Sequence, residues 1–299
     1  MINILITGGT GFIGSNLSKR FLSTKKYKIL FILKSNKNLK SIKKYLNKKN
    51  HFILKLSKDF EKNLKTIKKF KPKVAIHLAT KYIHTHEEKD IEEILNSNIN
   101  FGTQVLELVS KSGCKNLINT STVWEFYQSK EIPVNLYAAT KSAFGRILSY
   151  YQSEYQLRCL TLMLSNTYGE KDERNKIIPF LLKNINKKSN LNFSNGSQIL
   201  DFVHIDDVID CYLLAVNKLL NSKRSFNYKY YLDGEYISLK NLVNLFQKTF
   251  DTKFVPIWGA IKRKRELMQP TIIKSDISLN WSKKRDIKST FRSIKKNLE

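Results

Sequence analysis

Tyr137 and Lys141 stand four residues apart in Tyr137-Ala138-Ala139-Thr140-Lys141, at the start of a stretch that reads as helical to Tyr155. Side chains at that spacing share one helical face, so a phenol and an ammonium can point into one cleft. A nearby cation favours tyrosinate and lowers the phenol pKa, which makes a general acid or base usable near neutrality. About seventeen residues earlier an apolar run ends in Asn119-Thr120-Ser121-Thr122. The hydroxyls of Thr120 or Thr122 can there bind the oxygen that the tyrosine protonates. A chain with 14 Tyr and 53 Lys and Arg throws up such pairs by chance; the hydroxyls placed just before this one set it apart.

A second chemistry-bearing stretch is Thr7-Gly8-Gly9-Thr10-Gly11-Phe12-Ile13-Gly14, which follows the apolar run Ile2, Ile4, Leu5, Ile6. Behind it Ile13, Leu17, Phe21 and Leu22 recur at helical spacing, so the glycines sit at a strand-to-helix junction. Gly8 permits a tight turn, Gly11 lets a phosphate approach backbone, and Gly14 lets helix pack close on strand. The unpaired N–H groups of the helix start, Phe12 and Ile13 among them, face the anion. This is the geometry of a dinucleotide pyrophosphate site, with spacing G-x-x-G-x-x-G.

The elements that must position these groups alternate. Lys28–Leu33, His51–Leu56, Lys73–Ala79, Asn116–Thr120 and Arg158–Leu164 read as further strands, with helices near Leu39–Leu46, Phe60–Phe70, Ile91–Ser112 and Tyr137–Tyr155. That rhythm predicts an α/β fold, a doubly wound parallel sheet of Rossmann type, with ligands at the carboxyl ends of its strands. After the second strand, where an acid would grip a ribose hydroxyl, stand Lys34 and Ser35. A cation with a nearby hydroxyl welcomes a ribose phosphate, so the expected cofactor is NADP(H) over NAD(H). His77, His84 and His86 lie close in sequence, but no H-E-x-x-H or cysteine pair accompanies them, and no metal site is expected.

The formal charge is +28 over 299 residues. Lysine is spread over nearly every polar segment, a compositional bias more than a nucleic-acid face. The densest runs, Lys34 to Lys49 and Ile261 to Arg265, interleave no aromatic platform. Such charge still steers phosphate-bearing ligands. Cys114, Cys159 and Cys211 have no paired spacing, which argues against disulfides. Met1 runs straight into the first strand, and no apolar run approaches membrane-spanning length. The expectation is a cytoplasmic protein with no membrane insertion.

Taken together, the glycine turn, the Thr120 region and Tyr137/Lys141 resemble the extended short-chain dehydrogenase/reductase family of nucleotide-sugar epimerases, dehydratases and reductases. Asn98 resembles the family's Asn before its fourth helix. Ser165-Asn166-Thr167-Tyr168-Gly169 resembles N-V-Y-G, Leu200 to Val208 resembles R-D-F-V-H-V-D-D-V, and Arg263-Lys264-Arg265-Glu266 resembles R-P-G-E. The resemblance implies that Lys141 also binds the nicotinamide ribose, with cofactor contacts from Ala79 and Asn98. It implies substrate contacts from Thr80, Asn166, Arg263 and Arg265, a nucleotide-sugar substrate, and a homodimer. Residues 1–165 would bind the cofactor and 166–299 would form the substrate lobe, with 201–221 returning to the first domain behind an Asp206-Asp207 cap.

Departures from the pattern narrow the activity. Dehydratases read T-D-E-V-Y where this chain reads Thr120-Ser121-Thr122-Val123-Trp124, and neither Ser121 nor Thr122 titrates near pH 7. Leu200 replaces a phosphate-gripping Arg, and Leu56-Ser57 replace the adenine-contacting acid, with Asp59 displaced beyond them. Ile76 to Thr80, Asn175 to Pro179 and Gly259 to Ile261 with Met268 look most like CDP-4-keto-3,6-dideoxyhexose reductases. A 4-keto reductase making sugars for surface polysaccharide is therefore expected, with a 4-epimerase as the alternative. A non-catalytic, RNA-binding member of the fold would have no need of the Tyr137/Lys141 pair. Specificity would rest on loops around Tyr82, Trp124 and Tyr168.

Overall fold

The computed structural model describes residues 1–33, 42–43, 45–46, 49–128, 130–262 and 268–298. Its first half alternates as β1 (Ile2–Thr7), α1 (Phe12–Ser23), β2 (Tyr27–Leu33), β3 (His51–Lys55), α2 (Phe60–Phe70) and β4 (Val74–His77). Next, α3 (Ile91–Leu95) passes through a π-helical turn, Asn96–Asn100, into α4 (Phe101–Lys111). After them come β5 (Asn116–Thr122), α5 (Leu136–Tyr155) and β6 (Arg158–Leu164). The remainder comprises β7 (Asn166–Tyr168), α6 (Ile177–Lys183), β8 (Asn190–Asn192), β9 (Ile199–His204), α7 (Ile205–Asn221) and β10 (Phe226–Tyr231). It ends with β11 (Glu235–Ser238), α8 (Leu239–Phe250), β12 (Val255–Ile257) and α9 (Ile287–Lys296).

Seven parallel strands form the central sheet in the order β10-β6-β5-β4-β1-β2-β3. Its inner strands read as continuous apolar runs because both faces are covered. Ile4, Ile6, Ile29 and Phe31 point into one core with Leu17 and Phe21 of α1 and Val208, Tyr212 and Val216 of α7. Leu5, Leu30 and Ile32 point the other way, among Leu64 and Ile67 of α2, Val105 of α4, and Phe144 and Leu148 of α5. Strand order reverses between β1 and β4, whose register pairs Thr7 with His77, and a crevice opens there beyond their carboxyl ends.

A further core gathers Tyr168, Leu181, Phe193, Phe202, Leu242, Phe246, Phe254 and Phe291 around the three-stranded sheet β11-β9-β7. Three sequence expectations change. The Phe226–Tyr231 segment lay within the stretch assigned to the lobe, yet it pairs with β6 and supplies the seventh strand of the central sheet. It is an edge strand, exposed along most of its length and buried only at Tyr230 and Tyr231, so it carries no continuous apolar run. The helix expected over Ile91–Ser112 is broken by the π turn. His204, not Asp206-Asp207, caps α7, its Nδ1 accepting from the Asp206 N–H at 3.2 Å. Half of the helix expected over Leu39–Leu46 lies outside the described residues.

Candidate active site

The glycine turn does what its spacing demands. Gly8 has φ of 68°, and a Cβ there would stand 2.5 Å from the Ala79 nitrogen; a Cβ on Gly14 would overlap the Gly8 carbonyl. Packing inside the chain therefore requires glycine at both. Gly11 is different: a Cβ there would meet only the Gly8 carbonyl, at 3.5 Å. The space it leaves faces a cavity of about 640 Å³, and Gly11 begins α1 with no side-chain cap. Backbone N–H groups of a helix start and a missing Cβ make a cradle for a pyrophosphate. The residues present fit a dinucleotide.

The cavity follows the sheet crevice. Gly8, Gly11, Phe12, Ile13 and Gly14 line it from β1–α1, Ala79 and Thr80 from beyond β4, and Thr120 and Thr122 from the end of β5. Tyr137 and Lys141 line it from α5, and Asn166 from β7. Ile32 and Leu33 line it at the end of β2, but Lys34 and Ser35 lie outside the described residues, as do Arg263 and Arg265. Asp59 does not line the cavity: it caps α2, accepting from the Lys62 N–H at 2.9 Å. Tyr168 does not reach the cleft either, being buried against Phe202 and His204.

Two buried side chains lock this geometry from beneath. Thr7 Oγ1 accepts the Ala79 N–H at 3.2 Å and lies 2.9 Å from His77 Nδ1. Burial, with the Lys141 charge, pushes His77 down to about 3, so the ring is neutral. Stacked near Phe101 and Phe144, His77 is a packing residue. His84 instead rings against Trp124. Among the described residues no group of three His, Cys, Asp or Glu could hold a metal ion.

Asn98, the second lock, is buried under the cavity. Its Oδ1 accepts from Thr80 Oγ1 at 3.0 Å and the Lys81 N–H at 2.7 Å, and its Nδ2 donates to Lys81 O and Thr140 Oγ1. It thus ties the loop after β4 to the first turn of α5. The π turn carries this asparagine, and such bulges occur frequently at functional sites.

Electrostatics in the cleft differ from the sequence expectation. Burial raises the Tyr137 phenol, with the charges near Tyr82 and Glu125 adding to it. Burial also lowers Lys141, to about 8, and its Nζ donates to the Thr120 carbonyl at 2.7 Å. The ammonium is pinned to the strand, and the lowering of the phenol expected from it is not seen. Thr120 Oγ1 hydrogen-bonds the Tyr212 hydroxyl of α7 at 2.5 Å, and Thr122 Oγ1 accepts the Trp124 N–H.

Three contributors escaped the sequence reading. Arg174 lines the cavity with its guanidinium 4.2 Å from the Phe12 ring centre, held by Asp172 at 2.7 Å and by the Thr167 carbonyl. Lys176 sits 3.9 Å over Tyr82 and 4.9 Å over Trp124. Both were hidden in a lysine-rich background; the signal was their place just after the Asn166–Gly169 turn. Tyr212 was hidden as one more apolar position of α7. The lining among the described residues includes Lys141, Arg174 and Lys176 and no carboxylate. A second cavity of about 410 Å³ adjoins through Tyr82, Trp124, Asn166 and Lys176 and continues to Phe193, Asp201 and Leu200.

Comparison with known proteins agrees with this architecture. Residues 4–228 match the model of the NAD dependent epimerase/dehydratase family. The chain is 26% identical over 275 residues to CDP-abequose synthase of Yersinia pseudotuberculosis, covering 90% of this chain and 92% of that one. It superposes on UDP-glucuronic acid 4-epimerase from Bacillus cereus in complex with UDP-glucuronic acid and NAD, with TM-score 0.82, 22% identity and full coverage of both chains. The fold is likewise that of UDP-glucose 4-epimerase from Thermotoga maritima, with TM-score 0.80, 21% identity and full coverage of both. With the family model spanning most of the chain and the glycine turn, Tyr137 and Lys141 gathered on one cavity, the chain belongs to the NAD dependent epimerase/dehydratase family.

Proposed function

We propose that the protein is a nucleotide-sugar 4-ketoreductase that uses NADPH on a nucleotide-activated deoxy sugar for surface polysaccharide, working as a homodimer in the cytoplasm. The observation that carries this reading is the paired cavity: one half opens on the glycine turn and Tyr137, the other continues past Asn166 and Lys176. The first half suits a dinucleotide and the second a nucleotide diphosphate sugar, with Arg174 and Lys176 in reach of phosphate. When bound, the cofactor supplies hydride to carbon four. Tyr137 donates the proton to the carbonyl oxygen. Lys141 holds the ribose, and the Thr120 hydroxyl, paired with that of Tyr212, hydrogen-bonds the same oxygen. A lining without carboxylates offers no acid and base for eliminating water, which disfavours a dehydratase. Similarity to an abequose synthase over nine-tenths of the chain favours reduction over epimerisation.

The test is to release any cofactor from the purified protein and then to measure NADPH and NADH binding. A ribose phosphate held by Lys34 and Ser35 gives much tighter NADPH binding, and Lys34→Asp reverses the order. Equal affinities would end the NADP assignment. Oxidation of NADPH by a CDP-, dTDP- or UDP-4-keto-6-deoxy sugar supports the reductase; tightly held NAD with interconversion of 4-epimers overturns it.

A further inference from the structure

In the reductase reading, on which this inference rests, carbonyl reduction consumes one proton per turnover. Tyr137 gives its phenolic proton to the oxygen while hydride adds to the carbon; the ketone becomes an alcohol, the reduced nicotinamide is oxidised, and a tyrosinate must regain a proton. The cleft itself is where the ligands sit. A route from behind the sheet is free of them.

Behind β5 a cavity of about 170 Å³ opens between α5 and β10, rimmed by the exposed Arg146, Asn227 and Lys229. Ser121 lines both this rear cavity and the cofactor cleft. Its hydroxyl donates to the Glu125 carboxylate, which also lines the rear cavity and is only 7% exposed. Glu125 rides on a 3₁₀ turn, Val123–Glu125, that Thr122 caps at the mouth of the cleft. On the other side of Ser121, the Thr120 carbonyl holds the Lys141 ammonium at 2.7 Å.

We infer that Glu125 and Ser121 form a proton inlet that leads from the rear cavity to Lys141 and Tyr137. The Lys141 ammonium returns a proton to the tyrosinate; the amine left behind takes the Ser121 proton as Glu125, protonated from solvent, gives its own to the Ser121 oxygen. Each relay group ends the turn with the proton count it began with, and solvent has supplied the proton now on the alcohol. Charges facing Glu125 come from Lys229 on β10 and from Lys141 and Arg146 on α5, Arg146 being paired with Glu131 at 3.7 Å. Burial lifts the Glu125 carboxyl above the ordinary range, while Ser121, Lys229 and Lys141 oppose the lift. A carboxyl so raised carries a proton closer to neutrality than an exposed one.

Glu125→Gln keeps an acceptor for the Ser121 hydroxyl but carries no titrating proton, so a purely structural tether survives it. Ser121→Ala cuts the chain one step later and guards against misfolding of the first variant. With the parent shown active on a 4-keto sugar, kcat of each falls about 10-fold or more. Below the alkaline limb KM and cofactor affinity are unchanged, the solvent deuterium isotope effect on kcat grows, and added formate restores Glu125→Gln through the rear cavity. A parent that oxidises no reduced nicotinamide with any 4-keto sugar defeats the reductase reading instead. The inlet is then read from the pH dependence of nicotinamide cofactor binding. Its alkaline limb, set by Lys141, moves to lower pH in Glu125→Gln because a buried negative neighbour is lost. Parental kcat and isotope effect in both variants, or an unmoved limb in the second case, overturn the inlet.

Discussion

Burial acts against both members of the Tyr137–Lys141 pair, raising the phenol and lowering the ammonium to about 8. Near pH 7 Lys141 keeps most of its charge and Tyr137 its proton, the states a reduction needs at its start. Tyr137→Phe removes one hydroxyl, and steady-state assay should show a loss of ~10²–10⁴-fold in kcat with cofactor affinity retained. A variant as fast as the parent would sink the site. Lys141→Met should weaken cofactor binding and rate together, and it should abolish a fall in activity above about pH 8. The stability sign is opposite. Between about 8 and the ordinary lysine value of 10.5 the unfolded chain holds more protons than the folded one, so stability rises with pH in that window. Lys141→Met should lose that rise, read as melting temperature against pH. The glycines divide in the same manner. Gly11→Val should fold normally and lose cofactor binding by calorimetry, whereas Gly14→Val should fail to fold, because its side chain meets the Gly8 carbonyl.

At the scale of elements, the cleft is held by ties between segments far apart in the chain. Asn98 joins the loop after β4 to α5. Asp207, in the first turn of α7, performs a similar task for the C-terminal segment. Its fully buried carboxylate accepts from the Lys284 and Arg285 N–H groups at 3.0 Å each and from the Arg285 guanidinium at 2.5 Å, while its carbonyl accepts from Trp281 Nε1. Placing a carboxylate there also suits the positive end of α7. Asp207→Ala leaves two part-buried N–H groups without their acceptor and removes the nearest of the three carboxylates around the Arg285 guanidinium, which should cost about 1–3 kcal/mol, read from urea unfolding. Asp207→Asn, which keeps an acceptor, should cost less. An unchanged midpoint for Asp207→Ala would show that the C-terminal segment docks by apolar contacts alone.

Over the whole molecule, the net charge of +28 repels itself, and it also draws anions to a cleft lined by Lys141, Arg174 and Lys176. Both effects are screened within about 10 Å at 0.1 M salt. Raising salt from low to moderate concentration should therefore raise the melting temperature while slowing association of cofactor in stopped-flow measurements. A cofactor on-rate indifferent to salt would show that the bulk charge has no steering role and that the local cations act only after contact.

Much of this was legible in the residues themselves. Parallel strands buried on two faces need unbroken apolar runs, and helices between them need period 3.6, so β1, β2, β6 and α2 could be placed within a residue or two. Glycines with one steric purpose each, and a Tyr and Lys one helical turn apart, declared the two halves of the cofactor cleft. What stayed hidden depended on partners distant in sequence. The edge strand β10 has too little buried surface for an apolar signature, and Arg174 becomes special only because the distant Phe12 and Thr167 of β7 meet it in space. Sequence spacing brought Lys141 to Tyr137. Tertiary structure decided that the ammonium bonds the Thr120 carbonyl and that Glu125 stands behind Ser121, because burial and charge are summed over every element that packs around a group.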